Sequence, residues 1–167
     1  MEMIVTRSGL STGAVYGYFR GKDEIIDAVV REGTAELAQE LLPVLSDPAP
    51  PPLPELVARV LRAIAAYGPR RGGIDRLLVS VHGWSHAQSD PDLKADTRAA
   101  YRRLRDAYGA AVRRWQAAGA FDPAAAPEDV AELLTSITLG FVAQRALTGS
   151  ADIKAHVAAL EAVGDSG

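Results

Sequence analysis

The sequence contains no cysteine, which excludes disulfide bonds and any metal site built from thiolates. We find no apolar run that approaches the length of a membrane span, and the N-terminus lacks the long apolar core of a signal peptide. We therefore expect a cytoplasmic protein that does not enter a membrane. With 48% hydrophobic and 23% charged residues, the composition is that of an ordinary globular protein.

Runs of alternating β-branched residues are also missing, whereas alanine is abundant. Apolar residues recur at helical spacing, so the sequence predicts an all-α fold. The proline cluster 48–54, Gly119 and Pro127 separate the helices. The predicted helices cover residues 22 to about 45, about 53 to 67, 74 to about 88, 91 to about 118, 127 to about 147, and 152–163.

No catalytic constellation is evident, so we expect no enzyme, no cofactor and no metal. His82 and His86 would share one helix face, as a two-histidine metal site requires, but no strong third ligand accompanies them. Asp90 would follow one turn later, where Pro91 interrupts the helix. An enzyme built on a helical bundle, using these two histidines, is one alternative.

The charges are unevenly distributed along a chain whose net charge is −3. From Thr6 to Lys22 every charged residue is basic, and four acids follow within ten residues. This change is typical of a boundary between a DNA-binding face and a regulatory domain. We expect a head over residues 1–26 and a body over residues 27–167.

The most informative segment is residues 10–26, which reads as the second half of a helix-turn-helix followed by the next helix. Ser11 is a plausible N-cap for a short helix that carries Tyr16 and Tyr18, and Lys22 stands beyond its end. Phenolic hydroxyls and a basic residue around one short helix suit a phosphate backbone. The alternative is that both tyrosines belong to a core and the lysine is solvated.

Residues 8–25 resemble the recognition-helix region of the TetR family of bacterial repressors. The resemblance implies that Tyr16 and Lys22 contact DNA phosphates and that Val15 and Phe19 belong to the core of the head. Thr12, Gly13 and Gly17 would face base edges, although family members often carry a bulky residue where Gly17 stands. The expected DNA-binding residues are Ser11, Thr12, Gly13, Ala14, Tyr16, Gly17, Tyr18 and Lys22.

The family places a whole helix before this motif, whereas only residues 2–7 precede Ser8 here. We therefore expect a head without its first helix. One alternative is a dimeric helical ligand-binding protein whose DNA head is not functional.

The resemblance also implies a pocket for a small hydrophobic effector within residues 53–118. Aromatic side chains with a few polar groups suit such a pocket, but they suit a helical core equally well. The candidates are Tyr67, His82, Trp84, His86, Tyr101, Tyr108, Trp115 and Gln144.

The last two predicted helices resemble the family's dimerisation module, in which two helices from each subunit form a four-helix bundle. The apolar stripe on the first of them is wider than one neighbouring helix needs, and alanines on the second allow close approach. The expected interface residues are Val130, Leu133, Leu134, Ile137, Phe141, Ala155 and Ala159. The alternative is an ordinary core within one chain.

These observations together predict a homodimeric transcriptional regulator, a repressor by resemblance, which binds a palindromic operator in double-stranded DNA. The effector would release it from the operator.

Overall fold

The computed structural model describes residues 21–68 and 75–164. Six helices form the regular structure in these ranges, which confirms the predicted all-α fold. In chain order they are α1 (Lys22–Leu45), α2 (Leu53–Tyr67), α3 (Arg76–His86), α4 (Pro91–Ala117), α5 (Pro127–Thr148) and α6 (Ile153–Gly164). Helix α1 is continuous across the expected boundary between residues 26 and 27, and that boundary stays a prediction.

Side-chain caps and glycines determine where several helices begin and end. The carboxylate of Asp90 accepts a hydrogen bond of 2.6 Å from the Leu93 N–H, and Pro91 occupies the first turn of α4. Asp75 caps α3 in the same way, through the N–H of Leu77 at 2.8 Å. Gly149 adopts a left-handed conformation, with a φ of 77°, directly after α5. Most predicted boundaries therefore agree with the structure to within one or two residues.

Helix α2 lies at the centre of the core. Its residues Leu56, Val60, Leu61 and Ile64 are fully buried. They pack in one cluster with residues of α4 and α5, including Tyr108 and Phe141. Helices α1, α5 and α6 all contact α2, and α4 packs along α5.

The proline-rich connector between α1 and α2 is held by the end of α4. The Trp115 indole N–H lies 3.2 Å from the carbonyl oxygen of Pro50 and 3.0 Å from that of Pro51. The neighbouring Arg114 guanidinium donates to the carbonyl oxygen of Leu45, the last residue of α1, at 2.5 Å. The C-terminal end of α1 is therefore fixed to α4.

Helix α5 has 22 residues, and an 18-residue window within it has a mean hydropathy of 1.2, so by length and composition it could cross a membrane. The expectation that no segment reaches this length was therefore wrong. Core helices of soluble proteins often meet the same criterion, and α5 buries Leu134, Phe141 and Val142 against the rest of the body.

Candidate functional site

Helix α1 is the described element that continues from the expected DNA-binding motif. Its first residue is Lys22, the last of the expected DNA-binding residues, although the Lys22 side chain is outside the description. The other seven, Ser11, Thr12, Gly13, Ala14, Tyr16, Gly17 and Tyr18, lie outside the described residues. The contacts of α1 are therefore the described contacts nearest to the expected DNA-binding motif.

The first half of α1 crosses α3 at very close range. Val30 of α1 is only 6% exposed and packs against the backbone of Gly83 in the middle of α3. A Cβ atom at position 83 would lie 2.6 Å and 2.7 Å from the two γ-methyl carbons of Val30. Glycine is the residue that permits this approach, because an added Cβ would require either the Val30 side chain or the helices themselves to shift.

Two side-chain pairs lie close to this crossing, one through Asp27 and one through Arg31 of α1. His86 Nε2 of α3 is 3.3 Å from Asp27 Oδ1 of α1, and both side chains are mostly buried. Arg31 of α1 and Asp96 of α4 form an exposed pair at 2.8 Å. The exposed pair contributes little to stability because solvent screens it, and the buried side chains of this half of α1 are Ile25 and Val30.

The middle of α1 is joined to α2 and α3 by a polar cluster. The Tyr67 hydroxyl donates to the carbonyl oxygen of Gly33 at 2.8 Å, and Arg76 donates to Glu36 Oε2 at 3.2 Å. The Arg76 guanidinium also lies over the Tyr67 ring, 4.6 Å from its centroid. Burial raises the pKa of the Tyr67 hydroxyl, which keeps it protonated and able to donate.

The expected pocket residues are distributed over the core and the surface. Tyr67, Tyr108 and Trp115 are buried, and Trp84 is partly buried against the core. His86 is paired with Asp27, while His82 and Gln144 are exposed. The Tyr101 hydroxyl donates to Glu132 near the surface, and this bond raises the pKa of Tyr101.

Two clefts open on the surface of the body near α6. One of about 390 Å³ lies between α2 and α6 and is lined by Arg62, Ile153 and Val157. The other, of about 580 Å³, is lined by the proline connector, Phe121, Leu160 and Trp115. Of the expected pocket residues, Trp115 lines these clefts. The effector site within residues 53–118 therefore stays a prediction.

The expected dimer residues divide into an inner and an outer group. Leu134 and Phe141 are buried in the core of their own chain, and Val130 and Ile137 are partly buried. Ala155 and Ala159 of α6 are exposed. Leu133 is exposed over 59% of its surface. Leu147, which is not among the expected interface residues, is exposed over 73%.

Leu133, Gly140 and Leu147 are seven residues apart and all exposed, so they form one stripe along α5. This spacing was the sequence signal that could have identified Gly140 and Leu147. Similarly, a glycine inside an apolar helix was the signal for Gly83.

The described residues contain no group of three or more His, Cys, Asp or Glu side chains placed to hold a metal ion. Within α3, His86 is directed to Asp27, whereas His82 is exposed.

Comparisons with known proteins point to one protein family. Residues 54–164 match the family model described as the C-terminal domain of BetI-type transcriptional repressors. Residues 1–29 match the model of bacterial regulatory proteins of the tetR family. Among solved structures, Salmonella enterica GusR is similar with a TM-score of 0.63 at 17% sequence identity. The similarity covers 94% of this chain and 79% of that chain, and it shows a common fold. No curated protein matches the sequence.

Proposed function

Because the chain belongs to the TetR family of bacterial transcriptional regulators, we propose that it is a homodimeric repressor whose hold on a palindromic operator is released by a small hydrophobic effector. The family assignment makes it a DNA-binding regulator of transcription. Repression, effector response and operator release are the parts that we add.

The observation that carries this proposal is the position of α1. It begins at the end of the DNA-binding motif and contacts α2, α3 and α4, the helices in which we expect the effector. A helix behaves as a stiff element, so a shift among those three helices moves the head without any further moving part. Effector binding would then favour an arrangement whose recognition helices no longer match successive major grooves.

The interior of the body supports a response to an apolar molecule. Two tyrosines of the expected effector region bond to groups on the helices around it: Tyr67 to the carbonyl oxygen of Gly33 on α1, and Tyr108 to Thr138 on α5 at 2.7 Å. A molecule that enters between these helices has to separate such contacts. Because the Tyr67 bond ends on α1, its loss would free the middle of the helix that joins body and head.

In the head, we propose that Tyr16 and Lys22 bind phosphates, whereas Thr12 contacts bases. Lys22→Ala should weaken binding to all duplexes and reduce the slope of log affinity against log salt by about 1. Tyr16→Phe should also weaken binding to all sequences, because the phenolic hydroxyl is the donor to phosphate. Thr12→Ala should instead change which sequences are preferred.

The test begins with selection of bound duplexes from a random-sequence pool, followed by titration of the best palindrome at two salt concentrations. Lys154→Ala, an exposed lysine on α6 of the body, is the matched control and should leave affinity and salt slope unchanged. Salt-insensitive binding, or equal effects of Lys22→Ala and Lys154→Ala, would contradict the assignment of the head.

The effector response is tested with the same operator. Small apolar molecules are screened for the ability to lower operator affinity, with a matched scrambled duplex as control. A chain that dimerises and binds such a molecule but no DNA would favour the alternative of a ligand-binding protein with a non-functional head.

A further inference from the structure

Of the glycines in the described residues, Gly83, where α3 crosses α1, has the least space for a Cβ atom. At Gly83 the added Cβ would lie within 2.7 Å of two Val30 carbons, whereas at Gly33 and Gly68 the nearest atoms are 3.2 Å or more away. Ala87, directly after α3, and Leu93 of α4 pack in one buried cluster with Val30, which limits how far the valine can move aside. The two helices therefore have one preferred separation at this point.

We propose that Gly83 and Val30 form a positioning pair that sets the angle between head and body, and thereby the half-site spacing that the dimer prefers. This inference rests on the proposed function as a dimeric DNA-binding regulator. Gly83 and Val30 do not contact DNA in this proposal; they act through the direction of α1.

Leverage along α1 makes this pair effective. At a rise of 1.5 Å per residue, Val30 lies about 4.5 Å from Gly33 and Lys22 about 16.5 Å from Gly33. The Tyr67 bond fixes α1 at Gly33. Carbon atoms in contact need roughly 3.5–4.0 Å, so a methyl group at position 83 pushes Val30 away by about 1 Å. If α1 pivots at Gly33, the displacement at Lys22 is roughly threefold to fourfold larger.

The polar contacts around the crossing do not replace this constraint. Arg31 and Asp96 are about half exposed, and such pairs tolerate movement at little cost. Asp27 lies three residues before Val30, and its Oδ1 is 3.3 Å from His86 Nε2 without a hydrogen bond between them, so this contact does not fix the separation of α1 and α3.

The absence of cysteine permits a direct measurement of the head-to-body angle. Ala28→Cys on α1 and Arg103→Cys on α4 are both at exposed positions and introduce two spin-label sites. Labelled chains are diluted with unlabelled chains, so that electron–electron distances within one subunit are measured. The distance is compared in the otherwise unchanged chain, Gly83→Ala, Val30→Ala, and the double variant Gly83→Ala with Val30→Ala. Gly109→Ala is the control, because its Cβ would meet neighbours at an ordinary 3.5 Å or more.

We expect Gly83→Ala to shift the Ala28–Arg103 distance and to change the preferred half-site spacing in a series of operators. Affinity for the original spacing should fall about tenfold, a loss of roughly 1.4 kcal/mol of binding free energy, because the two recognition helices no longer match that spacing. Val30→Ala in the same chain removes the two clashing methyl groups and should restore both distance and spacing. Gly109→Ala should change neither.

Two results would overturn the proposal. One is a Gly83→Ala chain that melts earlier but keeps the original distance and spacing preference, since this is what plain core packing predicts. The other is a double variant that fails to restore the spacing. If the Gly83→Ala chain does not fold, the Val30→Ala variant tests the proposal. We expect it to show a broader Ala28–Arg103 distance distribution and weaker discrimination among half-site spacings. An unchanged distribution and unchanged discrimination would overturn the inference. If the unaltered chain binds no duplex, the proposed function fails, while the spin-label distances still decide whether the pair positions α1.

Discussion

Tyr108 places one hydroxyl in the centre of the core, 2.7 Å from Thr138 Oγ1. We expect Tyr108→Phe to lower the free energy of unfolding by about 1 kcal/mol, because it removes this buried hydrogen bond. Thr138 keeps its own bond to the Leu134 carbonyl oxygen at 2.9 Å, which limits the loss. Urea unfolding near neutral pH measures the difference.

The same residue predicts a dependence on alkaline pH. A tyrosine hydroxyl has an ordinary pKa of 10.0, and burial raises the pKa of Tyr108 to about 12. The unfolded chain therefore ionises first, so the stability that Tyr108 contributes is complete below about pH 10 and is lost as the pH rises toward about 12. When the pH is raised from about 9 to about 11, the free energy of unfolding of the Tyr108→Phe variant should therefore fall less than that of the unaltered chain, by on the order of 1 kcal/mol. If the free energy of unfolding falls by the same amount in both proteins over this pH range, burial does not raise the pKa of Tyr108.

Tyr108 also shows what the sequence does not predict about a single residue. The sequence made Tyr108 a candidate for either the pocket or the core, and the structure buries it. Whether an inward aromatic lines a pocket or fills a core depends on what lies opposite, here Thr138 thirty residues later. The helical pattern contains no information on that distance, so pocket and core could not be distinguished.

Helix α1 combines a weak point in its own sequence with a contact that compensates for it. Gly33 costs about 1 kcal/mol relative to alanine inside a helix, but a Cβ there would lie 3.3 Å from the Tyr67 hydroxyl oxygen. We expect Gly33→Ala to stabilise the Tyr67→Phe variant by about 1 kcal/mol. In the unaltered chain the gain should be close to zero, because the new methyl group displaces a hydroxyl whose bond is worth about as much.

A double-mutant cycle of these four proteins, measured by urea unfolding, gives the coupling directly. Equal effects of Gly33→Ala in both backgrounds would show that Tyr67 does not hold α1 at Gly33. The pivot assumed for the head-to-body angle would then have to lie elsewhere.

Individual helices were more predictable than the contacts between them. Asp90 and Pro91 marked the start of α4, and Gly149 stands where α5 ends, because caps and glycine conformations are local properties. The crossing at Gly83 was not predicted, since its partner Val30 is more than fifty residues earlier in the chain. A helical pattern shows which face is buried but not which helix covers it.

At the scale of the whole molecule, we propose that a second subunit covers the stripe of Leu133, Gly140 and Leu147 on α5. Two of its three residues are large, apolar and strongly exposed, and no described atom beyond the neighbouring backbone of α5 lies within 4 Å of a Cβ placed at Gly140. A glycine between two leucines on a helix face permits close approach of a partner helix. Ala155 and Ala159 of α6 are exposed small residues that suit the same purpose.

We therefore expect Leu133→Glu or Leu147→Glu to convert the dimer to monomer at micromolar concentration. Each leucine is buried twice in a symmetric interface, at about 1.5–3 kcal/mol per copy, so either substitution should weaken dimerisation at least tenfold. Leu78→Glu is the matched control, because Leu78 is a leucine on α3 that is 41% exposed and lies off the stripe. Sedimentation equilibrium measures the association, and operator titration should show a parallel loss for the stripe variants alone, since a palindrome is bound by two heads. If Leu133→Glu dimerises like Leu78→Glu, the α5 stripe is not the interface, and the two heads must be brought together by another surface.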